Sequence, residues 1–340
     1  MKNAEITMPT HDLTLHRFPA TLPDFEPIAD DPVFDPALHL ALGQPERHYS
    51  LAELGYESSQ LTEPTPSTVA ATDCFRILSD EGVATLYHVC KQLEAYTTSN
   101  PRISRNTRGG VYRSRFMRDL SLSPDITEHL STPIDSPLLP HAMGHQLAHL
   151  NYQPLTLSEN VAKWHYDTLQ VDYVMFVTDP NAVDGGEFQY FLGTRDEMAE
   201  LYAAGKKIPP ERVVVPPMPG AGYAVLMQGN YVVHQACGLQ SPGERITFVN
   251  GYSFSNPAIN DFTAVKQLRM ADPVAIVNAE YARQMAYRSA QHLQACINAP
   301  HYSDDIDTTL EQLQRARNEL DVAINTLQDN ENEALKHFGD

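Results

Sequence analysis

The chain has 340 residues, of which 42% are hydrophobic and 20% are charged, which excludes disordered and fibrous classes. Its formal net charge of −19 argues against a general nucleic-acid binder, because an acidic surface repels the phosphate backbone. We therefore expect a soluble folded protein whose partner is a small molecule and not a nucleic acid.

No sequence signal of export or membrane insertion is found. The first residues, MKNAEITMPTHDL, contain no apolar run long enough for a signal peptide. No segment approaches the roughly 20 apolar residues that a membrane span requires. The four cysteines lie far apart and form no CxxC pair for zinc or redox chemistry. These features predict a cytoplasmic protein with reduced cysteines.

The chain divides by composition into three parts. Residues 1–70 are rich in Pro, Asp, Thr and Ser and predict an irregular arm on the core. From Ser79, which fits a helix N-cap, apolar residues recur at three- and four-residue spacing and predict an amphipathic helix. The series is Val83, Leu86, Tyr87, Cys90, Leu93 and Tyr96. We place the core, with its supporting helices, at residues 71–260.

Short strands are predicted between about residues 150 and 255. Apolar residues alternate from Val171 to Val177, and similar runs occur at EFQYFLG, RVVVP, GYAVLM, YVVHQA and RITFVNGYS. Pro- and Gly-rich turns separate these runs, and no parallel α/β alternation is present. Such spacing predicts a β-sandwich or barrel with helices outside it.

A helical extension packed on the core is predicted for residues 261–340. Asp272 and Pro273 fit the cap and first position of a helix that runs to about Ile297. A second helix carries apolar residues near a heptad spacing that Arg317 interrupts. They are Ile306, Leu310, Leu313, Leu320, Ile324 and Leu327. The pattern fits a helical hairpin packed on the core or, alternatively, a homodimer contact.

Metal-ligand residues occur within the predicted strands. In KWHYDTLQVDYV, His165 and Asp167 are two residues apart, so both side chains leave the same face of an extended strand. His234 lies 67 residues beyond Asp167 in another predicted strand. Two imidazoles and one carboxylate leave other metal positions open, which is the arrangement of non-haem Fe(II) oxygenases.

An arginine follows the distal histidine. Arg245 lies 11 residues after His234, and Thr247 follows Arg245 by two. On a strand these two side chains share one face, whereas Ile246 and Phe248 point the other way into apolar packing. The planar and permanently charged guanidinium suits a two-point grip on a buried carboxylate.

Together these residues resemble the Fe(II)/2-oxoglutarate-dependent dioxygenase superfamily, whose members carry His-x-Asp, a distal His and an Arg about ten positions later. The matching region, residues 150–255, is less than a third of the chain. The resemblance implies a double-stranded β-helix, or jelly roll, with Fe(II) bound by His165, Asp167 and His234. It also implies that Arg245 and Thr247 hold the distal carboxylate of 2-oxoglutarate.

The implied reaction is oxidation of a C–H bond of a small molecule, most simply its hydroxylation. O2 and 2-oxoglutarate would be consumed, and succinate and CO2 released. Related halogenases carry a small residue in place of the carboxylate, so Asp167 disfavours halogenation. NYQP resembles an Asn-Tyr segment of plant-type members in which a Tyr approaches 2-oxoglutarate, although Gln153 departs from it. Tyr152 is therefore a further cosubstrate candidate.

Six arginines lie close together in the segment PRISRNTRGGVYRSRFMRD. They are Arg102, Arg105, Arg108, Arg113, Arg115 and Arg118. Surface pairing with carboxylates is one explanation for such a cluster. The alternative is that some of them line the mouth of the site and bind an anionic substrate group, for which we select Arg108, Arg113 and Arg115.

A second group of histidines is a candidate zinc site. His141, His145 and His149 would share one face of a helix and could bind zinc. The segment lacks an HExxH glutamate, and Pro140 and Gly144 weaken the helix, so we expect structural, partly exposed histidines. Two other functions remain: a metal-bearing jelly roll that only senses a ligand, which needs no cosubstrate clamp, and a zinc hydrolase using the same triad, which needs a general base.

Overall fold

The structure, a computed structural model, describes residues 19–57, 66–298 and 305–338. The beginning of the predicted arm, residues 1–18, and its segment 58–65 lie outside these ranges. Two facing antiparallel β-sheets form the centre of the described chain, and helices surround them. The prediction of a mainly β protein with flanking helices is confirmed. None of the described helices combines the length and apolarity needed to cross a membrane.

Thirteen strands can be traced in the described residues. In chain order they are β1 His48–Ser50, β2 Val69–Thr72, β3 Phe75–Arg76, β4 Asn106–Thr107, β5 Leu138–Pro140, β6 His149–Tyr152, β7 Ala162–His165, β8 Val171–Phe176, β9 Phe188–Phe191, β10 Val213–Val214, β11 Tyr223–Met227, β12 His234–Ala236 and β13 Ile246–Phe254. The larger sheet has the order β1-β2-β11-β8-β13-β6-β4, with β3 beside β11 and β5 beside β13. The smaller sheet has the order β10-β9-β12-β7. Each run predicted as a strand between residues 150 and 255 contributes to one of them.

The larger sheet buries both of its faces. On β13, Ile246 and Phe248 point toward the helices, and the Phe248 ring stacks on Tyr173 of β8 at 5.8 Å. Val249 belongs to the apolar layer between the two sheets. Because side chains alternate along a strand, this arrangement directs every second residue of β6, β8 and β13 into the space between the sheets.

Helices cover the outer face of the larger sheet and the end of the chain. They are α1 Pro36–His39, α2 Asp80–Leu93, α3 Arg115–Ser121, α4 Pro124–Ser131, α5 Arg195–Ala203, α6 Val265–Leu268, α7 Val274–Ile297 and α8 Ile306–Gln328. Helix α2 begins as predicted, because the Ser79 side chain accepts a hydrogen bond of 3.0 Å from the Gly82 amide. Its apolar face, including Leu86 and Leu93, joins the core beneath the larger sheet.

Part of the N-terminal arm is more regular than its composition predicts. Strand β1 pairs with β2 at the edge of the larger sheet, and α1 contacts α2. The Asp35 side chain caps α1, and Pro36 occupies its first turn. Proline and aspartate therefore start a short helix here, whereas the sequence analysis expected them only to interrupt regular structure.

Helix α8 turns a different face toward α7 than its apolar pattern suggests. Ala316 and Ala323 are its buried residues, and Ser289 of α7 donates a hydrogen bond of 2.8 Å to the Ala316 carbonyl. Arg288 of α7 pairs with Glu319 at 2.7 Å. The predicted apolar series instead stays largely exposed, with Ile306 63% accessible to solvent. Small side chains allow the two helices to approach closely, which the heptad pattern did not reveal.

The last described residues return to the smaller sheet. The Glu333 amide donates to the Lys266 carbonyl at 3.2 Å, and the Phe338 amide donates to the Trp164 carbonyl at 2.6 Å. Trp164 lies on the face of β7 away from the metal-ligand candidates, where it is half-buried and lines an outer groove with Phe338. The C-terminal segment 329–338 therefore lies beside the strand that carries His165.

Candidate active site

Strand pairing brings the three metal-ligand candidates together. His165 is the last residue of β7 and His234 the first of β12, and the register places them directly opposite each other. Asp167 follows β7, where its amide donates to the Gly229 carbonyl at 2.8 Å. The Asp167 oxygens lie 3.6 Å from His165 Nε2 and 3.5 Å from His234 Nε2. One ligand atom from each residue therefore points into a common space, all within 4.8 Å of one another.

Backbone carbonyls fix the orientation of both imidazoles. His165 Nδ1 lies 2.5 Å from the Lys163 carbonyl, and His234 Nδ1 lies 3.0 Å from the Val232 carbonyl. A carbonyl only accepts, so each Nδ1 carries the hydrogen and each Nε2 offers a lone pair. Burial lowers the pKa of both rings, which keeps them neutral and able to bind a metal.

The carboxylate completes a donor set that suits Fe(II). Burial alone would raise the pKa of Asp167, but its neighbours, among them the Arg102 guanidinium at 3.6 Å, lower it and keep the carboxyl group ionised. Two neutral imidazole nitrogens and one ionised carboxylate then face the same space, as in 2-His-1-carboxylate sites. Among the residues that the structure describes, no other three His, Cys, Asp or Glu side chains meet the same geometric test.

A second carboxyl group lies behind Asp167. Asp172 of β8 is fully buried, and no N–H or hydroxyl group of the described residues donates to either of its oxygens. Burial raises its pKa well above the usual range, and the Asp167 carboxylate raises it further. A neutral Asp172 can donate its proton to Asp167 and hold that ligand in place. Gly229 permits this close approach, because a Cβ there would lie 2.2 Å from Asp172 Oδ2.

A small cavity between the sheets joins the three ligands to Arg245; we call it the Arg245 cavity. Its volume is about 40 Å³, enough for a few water molecules. Arg245 is only 1% exposed; its Nε donates to the Gly186 carbonyl at 2.6 Å and its Nη1 to Thr247 Oγ1 at 3.3 Å. Its guanidinium also lies 4.9 Å from the Phe176 ring centre.

One nitrogen of Arg245 has no partner. Nη2 is buried without a hydrogen bond, and burial lowers the pKa of the side chain to about 10. An unpaired buried N–H destabilises a protein by roughly 1–3 kcal/mol. A ligand that places an acceptor atom near Nη2 would therefore be stabilising. Gly186 helps to form this position, because a Cβ there would lie 3.0 Å from Arg245 Cδ. The predicted pair Arg245 and Thr247 thus faces the cavity with donors available for a carboxylate.

Tyr152 lies on the other face of its strand. Its hydroxyl donates to the Cys90 carbonyl at 2.8 Å, and its ring belongs to the core beneath the larger sheet. The neighbouring Asn151 lines the Arg245 cavity, is opposite Thr247 in the β-ladder, and has an unpartnered Oδ1. The sequence reasoning missed Asn151, although the alternation of HLNY contains the signal: Leu150 and Tyr152 share the core face.

The selected arginines differ in their positions. Arg113 donates to the carbonyls of Asp24 and Glu26 at 3.0 and 3.1 Å, and Arg115 is exposed and pairs with Asp119. Neither is among the cavity-lining residues. Arg108 does line a second cavity, but its Nε donates to both Asp272 oxygens, at 2.9 and 2.8 Å. Its charge is therefore already matched within the protein.

The second cavity, the C-terminal cavity, shares Asp167 with the Arg245 cavity and also has a volume of about 40 Å³. Residues from the start and end of the C-terminal region close it. They are Ala264, Gln267, Leu268 and Leu335. Arg102, which was not selected from the sequence, lines both cavities, and its Nη2 lies 3.6 Å from Asp167 Oδ1.

The three histidines considered for zinc do not converge. His141 follows β5, His145 lies in a single turn where its Nδ1 is 2.9 Å from Glu280 Oε1, and His149 begins β6. All three are buried, so the expectation that they are partly exposed was wrong. Pairing of β6 with β13 replaces the helix that their four-residue spacing suggested.

Comparison with known proteins gives matches among solved structures alone; no family model and no curated protein matches the chain. The non-heme alpha ketoglutarate dependent epimerase SnoN from nogalamycin biosynthesis is 18% identical over 52% of this chain and 75% of its own, with a TM-score of 0.39. AviO1 from Streptomyces viridochromogenes Tue57 is 17% identical over 56% and 91%, with a TM-score of 0.43. EctD from S. alaskensis is 15% identical over 68% and 87%, also with a TM-score of 0.43. Similarity at this level does not indicate a function. The function is therefore inferred from the residues of the site.

Proposed function

We propose that the protein is an Fe(II)- and 2-oxoglutarate-dependent oxygenase that oxidises a C–H bond of a small molecule, most simply by hydroxylation. The observation that carries the proposal is the unpartnered Nη2 of Arg245, buried in the same cavity as His165, Asp167 and His234. A buried cation that shares a small cavity with a metal-ligand set fits a dianion that binds the metal at one end and the arginine at the other.

The protein residues would act by holding and orienting the reactants. His165, Asp167 and His234 would bind Fe(II), and Arg245 with Thr247 would bind the distal carboxylate of 2-oxoglutarate. When bound, Fe(II) and 2-oxoglutarate supply the O2-dependent oxidation of a C–H bond, with release of succinate and CO2. Apolar side chains such as Val174 and Phe188 border the cavity and exclude water from it.

The alternatives fit the geometry less well. A ligand sensor has no need for a buried arginine aimed at the metal-ligand set. A zinc hydrolase needs a general base, yet Asp167 is the only carboxylate among the described residues that line either cavity, and it is a proposed ligand. Asp167 also occupies the position that a halogenase would leave to a halide, so we do not propose halogenation.

We propose further that the two sheets form a double-stranded β-helix in residues 71–260, with the arm 1–70 and the extension 261–340 belonging to the same structural unit. Antiparallel pairing throughout both sheets supports this assignment, as does the position of the metal-ligand candidates between them. The four free cysteines fit a reducing cytoplasm, which we propose as its location.

The exposed apolar series of α8 supports a homodimer through the C-terminal helices, which we propose as the assembly. Leu313 is 46% exposed and Leu320 is 42% exposed, although both are large apolar residues. Sedimentation velocity should give a dimer for the native protein and a monomer for Leu313→Asp. A monomeric native protein would remove the dimer proposal and leave the oxygenase proposal intact.

Anaerobic titration of metal-free protein with Fe(II) and 2-oxoglutarate tests the enzymatic proposal. A visible charge-transfer band should form when the keto acid binds the metal, and it should be absent from His165→Ala and His234→Ala. His48→Ala is a matched control, because His48 is exposed on the edge strand β1. No band in well-folded native protein would overturn the proposal, and zinc binding would be measured next.

A further inference from the structure

Two buried hydrogen-bond donors without partners meet beside Asp167. Arg102 Nε and His149 Nε2 are both buried and have no hydrogen-bond partner. Both residues line the C-terminal cavity and the Arg245 cavity. Buried polar atoms are nearly always hydrogen-bonded in folded proteins, so a pair of such donors on one cavity wall marks a place for an acceptor.

The hydrogen on His149 can be placed by its neighbour. His149 Nδ1 lies 3.4 Å from Arg108 Nη1, and a guanidinium can only donate. Nδ1 is therefore the acceptor, and the neutral ring carries its hydrogen on Nε2. Burial, Arg108 and Arg102 together keep the pKa of His149 well below its usual range, so the ring stays neutral. His149 Nε2 is thus a donor and cannot serve as a general base.

Arg102 is a buried cation with an incomplete set of partners. Asp167 is its one ion-pair partner among the described residues, at 3.6 Å, which is too long for a hydrogen bond. Arg108 is different, because Asp272 accepts two hydrogen bonds from its Nε and neutralises it. Arg102 Nε and the adjacent Nη2 form the side of the guanidinium that can hold both oxygens of one carboxylate.

The cosubstrate does not account for these donors. On the proposed function, one end of 2-oxoglutarate binds the metal and the other binds Arg245, so both of its anionic groups have partners. Arg245 lines only the Arg245 cavity, whereas Arg102 and His149 also line the C-terminal cavity. The wall of the C-terminal cavity combines the aliphatic side chains Leu169, Val249, Leu268 and Leu335 with the polar side chains Arg108, Gln146, Thr168 and Gln267. A second, amphipathic ligand suits this cavity.

We infer that the C-terminal cavity binds the substrate through a carboxylate group, with Arg102 and His149 as the donors and an aliphatic portion against Leu268 and Leu335. The substrate class is therefore a small organic acid with a short aliphatic chain. This inference rests on the proposed function for its reaction, but the binding site itself is defined by the unpartnered donors.

Calorimetric titration under argon tests the site without turnover. Protein loaded with Fe(II) and 2-oxoglutarate would be titrated with linear and branched acids of three to six carbons, their 2-amino derivatives, and the carboxamide of each. We expect at least one acid to bind at least 10-fold more tightly than its amide. Arg102→Gln should weaken that acid about 10- to 100-fold, the range for a lost hydrogen bond to a charged group.

Matched variants separate binding from folding. Arg105→Gln is the control, because Arg105 belongs to the same segment, pairs with Glu94 at 2.7 Å and does not line either cavity. It should leave the affinity for the acid unchanged. His149→Leu removes the second donor and tests the site independently if Arg102→Gln does not fold. Arg102→Lys should recover part of the affinity, because its ammonium keeps the charge without the fork.

Three results would overturn the inference: equal affinity for acid and amide, no binding by any acid in the panel, or loss of 2-oxoglutarate affinity in Arg102→Gln in place of acid affinity. The charge-transfer band is recorded before any acid is added. A band with no acid binding keeps the oxygenase proposal and removes this site. Acid binding through Arg102 without a band keeps the site and removes the oxygenase proposal.

Discussion

The two cavities that share Asp167 are built in different ways. Strands supply the threonine and the asparagine of the Arg245 cavity, where β6 and β13 pair Asn151 with Thr247, and Arg245 immediately precedes β13. The C-terminal cavity is closed by loops and by residues 264–268 and Leu335, which are distant in the sequence. A sheet fixes side-chain direction through local alternation, whereas a wall made of distant segments depends on how those segments pack.

Both cavities nevertheless share one structural feature. Each contains a buried arginine with one nitrogen left without a partner, Nη2 in Arg245 and Nε in Arg102. Each arginine shares its cavity with a polar residue on β6, and the unpartnered atom is an acceptor oxygen in Asn151 and a donor nitrogen in His149. We infer that the two arginines provide two donor sites for anions around a single metal-ligand set, and the following variants test each site separately.

The largest effect is expected at the metal-ligand set. His234→Ala should lower Fe(II) affinity and turnover by more than about 100-fold, because losing a ligand should have a larger effect than losing the hydrogen bond that orients it. The far-UV circular dichroism should stay native, since the His234 side chain faces a cavity. Iron content by atomic emission and succinate formation measure the change, with His48→Ala as control. Global unfolding would instead make His234 a structural residue.

A loss of stability is expected when Arg108, which lines the C-terminal cavity, is replaced. Arg108→Met should lower the free energy of unfolding by about 3–5 kcal/mol, because it leaves the buried carboxylate of Asp272 unpaired. Urea denaturation at neutral pH measures the change. The double variant Arg108→Met/Asp272→Leu should recover most of the loss, since neither charge then remains. A single variant within 1 kcal/mol of the native protein, roughly the worth of a surface pair, would contradict this.

A smaller effect, on binding and not on stability, is expected in the Arg245 cavity. Arg245→Gln should weaken 2-oxoglutarate binding by about 2–5 kcal/mol, the usual cost of removing one partner of a buried charge pair. Titration of the charge-transfer band measures this affinity. Arg315→Gln on the exposed face of α8 is the control and should have no effect. An unchanged affinity would place the carboxylate clamp elsewhere.

The smallest effect is a difference in pH dependence at His149. Its pKa is lowered in the folded protein by burial and then by Arg108 and Arg102, whereas an unfolded histidine titrates near pH 6.5. Below that pH the unfolded chain takes up a proton that the folded chain refuses, so stability falls as pH falls. The metal-free native protein should lose up to about 1.4 kcal/mol per pH unit more than His149→Gln.

Urea denaturation of both proteins at pH 7.5 and pH 5.5 measures that difference. The other buried histidines contribute equally to the two proteins and cancel in the comparison. An identical pH dependence would mean that His149 takes up a proton in the folded protein as readily as in the unfolded chain. Its Nε2 would remain a donor in that case, but the neutral tautomer assigned from Arg108 would be wrong.

Sequence alone determined the part of the site that obeys strand periodicity. HYD places His165 and Asp167 on one face, and RIT places Arg245 and Thr247 on another, because side chains alternate with a period of two. The same rule gives Ile246 and Phe248 to the core, as observed. It would also have chosen Asn151 over Tyr152, had β6 been recognised as a strand.

Only the tertiary structure decided how distant segments meet. Arg108 and Asp272 are 164 residues apart and still form a buried pair, and Leu335 reaches a cavity that begins at Arg102. The face that α8 buries was set by Ala316 and by the pairing of Arg288 with Glu319. Local patterns report which way a side chain leaves its own element, but not which element packs opposite. For that reason the sequence identified the metal-ligand candidates and the cosubstrate clamp candidate, whereas the second anion site required the fold.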